Sequence, residues 1–281
     1  MAERTPAKAP CWRGRRVVGL VLAIAVAGCA APAFTEPPKV GDLHLSYAMP
    51  QAGGERIPYR VYLPTNWTPK RKWPLVMVLH GYAATADTAL EQADGALQEQ
   101  AEKHGFVLVA PNGYNGMADY GANLPLPSGL SRFGTPLKMS PGAESALAEA
   151  DVVNVLDRAS VDYNIDPTRI FVMGNSMGMT GTLHFAEKFP NRFCGISPSD
   201  GPPWPNYPMD RLKHLKGILF VHGEKDDIAR ISDTRRLYQA ALAQGINAQL
   251  QIVPGGVHAT AWVQSIPNVF DFFAGLSCAD R

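Results

Sequence analysis

Residues 174–178 read Gly-Asn-Ser-Met-Gly, a G-x-S-x-G pattern whose meaning depends on what surrounds it. The run Arg169 to Met173 reads as a buried strand leading in, and Met177 to Phe189 has helical spacing closed by Pro190, so Ser176 falls on a strand-to-helix turn. A turn that sharp brings neighbouring backbone close and requires small residues at Gly174 and Gly178. The start of the next helix aims its N–H groups at the same point, where they stabilise negative charge. The chemistry is that of an activated hydroxyl, with Ser176 as nucleophile.

A serine hydroxyl needs a base, and the base needs an orienting carboxylate. A nucleophile on such a turn takes both from the ends of later strands, the acid first and then the His. His44, His80 and His104 precede Ser176, and His184 lies inside the following helix, which leaves His214, His222 and His258. His258 ends the flexible loop Pro254-Gly255-Gly256-Val257-His258, directly after the strand Gln249 to Val253, and from there an imidazole reaches over the Ser. His214 sits in a polar helix-like stretch, and His222, at a strand tip, reads as a satisfied structural histidine. For the acid, Gly223-Glu224-Lys225-Asp226-Asp227 is a tight turn with two adjacent Asp whose side chains point apart. Asp226 is the choice, Asp227 comes next, and Asp200, at the end of the preceding strand, is the outside candidate. The loop His80-Gly81-Tyr82-Ala83 after strand Leu75 to Leu79 places the main-chain N–H of Tyr82 as one oxyanion donor, with that of Met177 as the other. His80 reads as a structural residue holding this loop.

The elements that must position these groups alternate. Tyr59 to Leu63 has period-two alternation, whereas Leu75 to Leu79, Phe106 to Ala110, Ile170 to Met173 and Gly217 to Val221 are continuous apolar runs, the mark of strands buried on both faces. Between them Thr88 to Lys103, Glu144 to Tyr163, Thr180 to Phe189, Thr234 to Gln244 and Asn268 to Leu276 have helical spacing. The pattern predicts an α/β domain with a mostly parallel central sheet and helices on both faces. The connection from Pro111 to Gly142 has about thirty residues and no clear element, the length at which loops are usually functional. A second, shorter connection carries Pro202-Pro203-Trp204-Pro205-Asn206-Tyr207-Pro208, and neither is long enough for a separate lid domain.

The order of these features resembles that of the α/β-hydrolase esterases: Tyr59-Arg60-Val61-Tyr62-Leu63-Pro64, the strand into His80-Gly81-Tyr82, Ala110-Pro111-Asn112-Gly113, Asp166-Pro167-Thr168-Arg169, Gly174 to Gly178, His222-Gly223 with Asp226, and His258. Within them the chain is similar to the polyhydroxybutyrate depolymerase and feruloyl or acetylxylan esterase group. The resemblance covers about Arg56 to Phe273 and implies the α/β-hydrolase fold and metal-independent hydrolysis of carboxylic esters, with Ser176, Asp226 and His258 as triad. The departure is Met179, where many relatives have a third Gly and where packing room should therefore be short.

The N-terminus reads differently. Arg4, Lys8, Arg13, Arg15 and Arg16 precede the apolar run Val17 to Ala27, too short to span a bilayer but of the size of a signal h-region. The run closes on Val26-Ala27-Gly28-Cys29, which resembles the lipobox of bacterial lipoproteins, with Cys29 as the lipidated mature N-terminus. An ordinary secretory signal cleaved near Ala30 to Ala33 is the alternative, and Arg15-Arg16 is a loose match to a twin-Arg signal. The expected organisation is an export signal over 1–28, a Pro-rich tether over 29–42 and one catalytic domain over 43–281, exported to the bacterial envelope and either lipid-anchored or periplasmic or secreted.

Composition bounds the rest. The 281 residues carry 26 Lys plus Arg against 25 Asp plus Glu, a formal charge of +1 that loss of residues 1–28, with five basic residues and Glu3, turns to −3. Such a balance gives no footprint for nucleic acid, and the membrane enters only through the N-terminal anchor. There is no H-E-x-x-H, EF-hand loop, G-x-x-x-x-G-K-[ST] or G-x-G-x-x-G, so neither a metal nor another cofactor is expected. Cys194 and Cys278 are the thiols of the folded body, either paired in an oxidising compartment or separately buried.

The expected partner is a small-molecule or polymeric ester, held in an open cleft with Tyr82, Tyr114, Tyr120, Trp204, Tyr207 and Trp262 as candidate walls. Two other functions share the pattern. A peptidase of the prolyl-oligopeptidase type has the same triad order, but most carry a propeller for which about 250 mature residues leave no room. A non-catalytic binding lipoprotein on this scaffold would have no reason to keep all three triad partners.

Overall fold

The computed structural model describes residues 39–122, 124, 131–132, 135–136, 142–202, 204 and 206–279. The proposed export signal, Cys29 and most of the tether lie outside these residues. The chain opens with β1 (Gly41–Met49) and β2 (Glu55–Leu63), an antiparallel pair, followed by β3 (Trp73–Leu79), α1 (Ala86–Glu91), α2 (Ala96–His104) and β4 (Val107–Pro111). A two-stranded hairpin, β5 (Ser131–Arg132) and β6 (Thr135–Pro136), precedes α3 (Gly142–Asp162). Then come β7 (Ile165–Asn175), α4 (Met177–Lys188), β8 (Gly195–Ser199), β9 (Gly217–Gly223), α5 (Ile231–Ala243), β10 (Ala248–Val253) and α6 (Ala261–Gly275).

Eight strands form one sheet in the order β1-β2-β4-β3-β7-β8-β9-β10. From β4 to β10 all neighbours are parallel, and β1 and β2 add an antiparallel margin. The continuous apolar runs divide by parity, as a pleated strand buried on both sides must. Leu75, Met77 and Leu79 of β3, Ile170 and Val172 of β7, and Ile218 and Phe220 of β9 face the core shared with Val152, Val155, Leu183 and Leu237. Their neighbours Val76, Val78, Phe171, Met173, Leu219 and Val221 face the opposite core, with Leu97, Ile266, Phe270 and Phe273. Both cores are sealed by helices, so the sheet is a rigid platform whose carboxyl ends are left to carry loops.

Three expectations are corrected. Thr88 to Lys103 is not one helix, because Asp94 (φ 46) and Gly95 (φ 82) are left-handed and separate α1 from α2. The last helix starts at Ala261, ahead of the expected Asn268, and runs through Pro267; the apolar spacing of Trp262, Ile266, Val269, Phe270 and Phe273 continues across it. The domain begins inside the expected tether, since Gly41 and Asp42 already pair with Leu63 and Tyr62 in β1. Among the described residues no helix is long and apolar enough to cross a membrane.

Candidate active site

Ser176 occupies the turn between β7 and α4 with φ 57 and ψ −120, a left-side backbone conformation that a side chain adopts only under constraint. The constraint is visible in its neighbours. A Cβ on Gly174 would lie 2.5 Å from the carbonyl oxygen of Gly178, and one on Gly178 would lie 2.2 Å from that of Leu79. The Ser176 N–H donates to Ser199 O at 2.9 Å, which ties the turn to the end of β8. Met179 finds its room elsewhere: its side chain packs where a Cβ on Gly201 would stand, and it is fully buried there.

The loop after β3 lies against this turn, with the Cβ direction of Gly81 ending 3.6 Å from Ser176 Cβ. His80 is buried beneath it, Nδ1 at 2.8 Å from Gly81 O and Nε2 at 2.9 Å from Asn112 O, and burial lowers its pKa. Tyr120 Oη donates to His80 O at 3.1 Å, and Ala83 N–H donates to Gly116 O at 2.6 Å. The chain of Tyr82 is thus held from below and from the side.

Asp226 and His258 meet across the ends of β9 and β10. His258 Nδ1 lies 2.9 Å from Asp226 Oδ2 and 3.1 Å from Oδ1. Asp226 Oδ1 also accepts the N–H groups of Ile228 and Ala229, each at 2.8 Å. Burial pushes the Asp226 carboxyl up, but His258 and these two N–H groups together hold it below the ordinary carboxylate range. Asp227 is exposed on the same turn. His222 is fully buried, Nδ1 at 2.8 Å from Thr234 Oγ1 and Nε2 at 3.3 Å from Ala229 O, in agreement with a structural reading. Asp200 faces the turn from behind, its Oδ1 accepting Gly223 N–H at 2.8 Å.

Ser176 and His258 are walls of one cleft of about 360 Å³, together with Gly81, Tyr82, Ile228 and Trp262. With Nδ1 engaged by Asp226, Nε2 is the ring nitrogen left to serve the cleft. The other aromatic expectations need correction. Tyr120 is 1% exposed and packs over Gly113 and Gly181, so it supports the loop from the core. Tyr114 sends its hydroxyl to Glu55 at 3.3 Å, and Tyr207 is buried with its hydroxyl donating to Leu183 O at 3.0 Å. Trp204 lines a different cavity, with Asn206 and Arg236. Sequence reasoning missed Thr88 of α1 and Gln92 just after it as cleft walls. The one available signal was that α1 follows directly on the His80-Gly81-Tyr82 loop.

The Esterase family model matches residues 51–272. A poly(3-hydroxybutyrate) depolymerase of Ralstonia pickettii is 30% identical over 202 residues, 67% of this chain and 38% of that protein. A bifunctional acetylxylan esterase/xylanase of Neocallimastix patriciarum is 26% identical over 182 residues, 65% of this chain and 23% of that protein, so the chain spans well under half the length of either relative. A ferulic acid esterase structure superposes with a TM-score of 0.63 at 17% identity, covering 84% of this chain and 97% of that one, a likeness of fold. With a family model spanning both the Ser176 turn and the His258 loop, the chain belongs to the Esterase family, and its fold is that of the α/β-hydrolases.

Proposed function

We propose that this protein is a serine esterase that works through an acyl-enzyme, and the observation that carries the reading is the Asp226–His258 contact opening onto the cleft that Ser176 lines. His258 Nε2 takes the proton of Ser176 Oγ as Oγ attacks the ester carbonyl. The backbone N–H groups of Tyr82 and Met177 stabilise the resulting oxyanion. As the intermediate collapses, the alcohol leaves with the proton from His258, and the acyl group stays on Ser176. Water then attacks the acyl-enzyme with His258 again as base, and as the second intermediate collapses His258 returns that proton to Ser176 Oγ and the carboxylic acid departs. Asp226 stays ionised throughout, fixing the tautomer and orientation of the ring.

The substrates are esters on bulky or polymeric partners, such as acylated polysaccharides or polyesters. Support comes from the names of the relatives, a depolymerase and an acetylxylan esterase, and from the cleft of about 360 Å³ that Ser176 and His258 line. The protein is exported to the envelope by the segment 1–28 and held there through Cys29.

Turnover of short p-nitrophenyl acyl esters by the wild type and by Ser176→Ala tests the mechanism. The expected loss in kcat is about a thousandfold or more. Undiminished turnover by the variant would remove the acyl-enzyme, and faster cleavage of a peptide amide than of the esters would move the protein to the peptidases.

A further inference from the structure

Behind the Asp226–His258 pair lies a second carboxyl group. Asp200 follows β8 with a left-handed backbone, φ 48, and is 1% exposed. Its N–H donates to Val221 O at 3.1 Å and its Oδ1 accepts from Gly223 N–H at 2.8 Å, so the residue is riveted to the end of β9. Oδ2, by contrast, is buried and accepts no hydrogen bond. One side-chain atom each from Asp200, His222 and Asp226 lies within 4.8 Å of the others.

Two buried carboxyl groups at that range do not both ionise. Asp226 has three N–H partners, from Ile228, Ala229 and His258, whereas Asp200 has the one from Gly223. The negative charge therefore belongs on Asp226 and the proton on Asp200. His222 does not supply Oδ2 with a donor: its Nδ1 meets Thr234 Oγ1, and its Nε2 faces Ala229 O at 3.3 Å and Asp226 Oδ2 at 3.5 Å. Nor does the cluster suit a cation, since the Asp226 oxygens are already ringed by N–H groups.

We propose that Asp200 is a positioning residue, a neutral carboxylic acid whose O–H donates to the Asp226 carboxylate and holds it in place against His258. The inference rests on Ser176, Asp226 and His258 being the reacting groups. No proton is consumed, because Asp200 keeps its proton through the cycle. The groups that bear on its titration are Asp226 and His222, with His258 beyond Asp226 and Asp233 on α5 facing His222. Burial first, and then the Asp226 charge, push the Asp200 carboxyl up to about 8. On the alkaline side Asp200 becomes a second carboxylate and repels Asp226 from its place.

The test is the pH dependence of p-nitrophenyl butyrate hydrolysis for wild type, Asp200→Asn, Asp200→Ala and Ser176→Ala, with thermal melts of each. Asp200→Ala lowers kcat roughly tenfold to a hundredfold with little change in KM, the scale of losing a partner that orients a reacting group. Asp200→Asn restores most of that loss, because its Nδ2–H donates where the acid O–H did, and it abolishes the alkaline fall in kcat/KM that the wild type shows. An alkaline limb retained in Asp200→Asn, or wild-type kcat in Asp200→Ala, overturns the proposal while an inactive Ser176→Ala leaves the acyl-enzyme standing. An active Ser176→Ala overturns both. If Asp200→Ala does not fold, the alkaline limb of Asp200→Asn still decides.

Discussion

At the scale of single residues, the site depends on buried carboxyl groups whose charge is set by the donors around them. Asp226 is held ionised by three N–H partners, and Asp200, with one, is not. Asp119 behaves like Asp200 at a second place. It is buried, Thr180 Oγ1 makes a short hydrogen bond to its Oδ1, and its Oδ2 accepts the N–H of Leu124 at 2.9 Å. Burial outweighs these bonds and pushes its carboxyl up to about 6. A pKa raised on folding means that the stabilisation is complete below pH about 4 and is lost as pH rises through about 6. Asp119→Asn is neutral at every pH, and its amide can donate to Thr180 while its oxygen accepts from Leu124. Urea unfolding at pH 4 and pH 8 should therefore show the variant gaining about 2.5 kcal/mol on the wild type between the two. An unchanged difference would mean that Asp119 is already ionised at the acid end.

At the scale of elements, the decisive contact is that of α4 with β3. Gly178 sits one residue into α4, and the backbone carbonyls of Leu79 and His80 stand where its Cβ would go, at 2.2 and 3.0 Å. No side chain can yield there, so Gly178→Ala must lift α4 from the sheet, carrying Ser176 away from the His80-Gly81-Tyr82 loop. Displacements of about 1 Å at a reacting group cost on the order of a hundredfold in rate. The expected result is a loss of kcat of about that size, with overpacking lowering stability by about 1–3 kcal/mol. Measured kcat within a few-fold of the wild type would show that the turn absorbs the methyl group. The role of Gly201 in making room for Met179 belongs to the same scale, since it explains how a side chain of that size is accommodated three residues after Ser176.

At the scale of the whole molecule, the proposed chemistry and the reinforcement are at opposite ends of the sheet. Ser176, Asp226 and His258 follow the carboxyl ends of β7, β9 and β10, whereas the Cys194–Cys278 disulfide joins the entry to β8 to the segment just after α6. A bond of this kind persists in an oxidising compartment, which supports the proposed export. It closes a loop with a sequence separation of 84 residues, for which the chain-entropy estimate is up to about 4–5 kcal/mol. Paired Cys194→Ser and Cys278→Ser substitutions should lower stability to urea by an amount approaching that figure while leaving kcat at low temperature unchanged. A variant as stable as the wild type would show that the packing of Phe171, Phe270 and Phe273 around the bond carries that end by itself.

The alternation of apolar runs with helical spacing, the strand-turn-helix around Ser176 and the order of Asp226 and His258 behind it were all legible in the sequence, because each depends on periodicity or on residues close together in the chain. The break at Asp94 and Gly95, the start of α6 ahead of Pro267 and the early start of β1 were not, because each is decided by packing or pairing with a distant element. The same distinction runs through the site. Composition could offer six aromatic walls, but whether a ring faces a cleft or a core is a property of the folded surface, and of the six only Tyr82 and Trp262 line the cleft with Ser176. Asp200 shows the difference most plainly. In sequence it is one more Asp at a strand end. Only the adjacency of β8 and β9 brings its unpartnered oxygen up behind Asp226, and there the low dielectric lets one of the two carboxyl groups keep its charge and makes the other keep its proton.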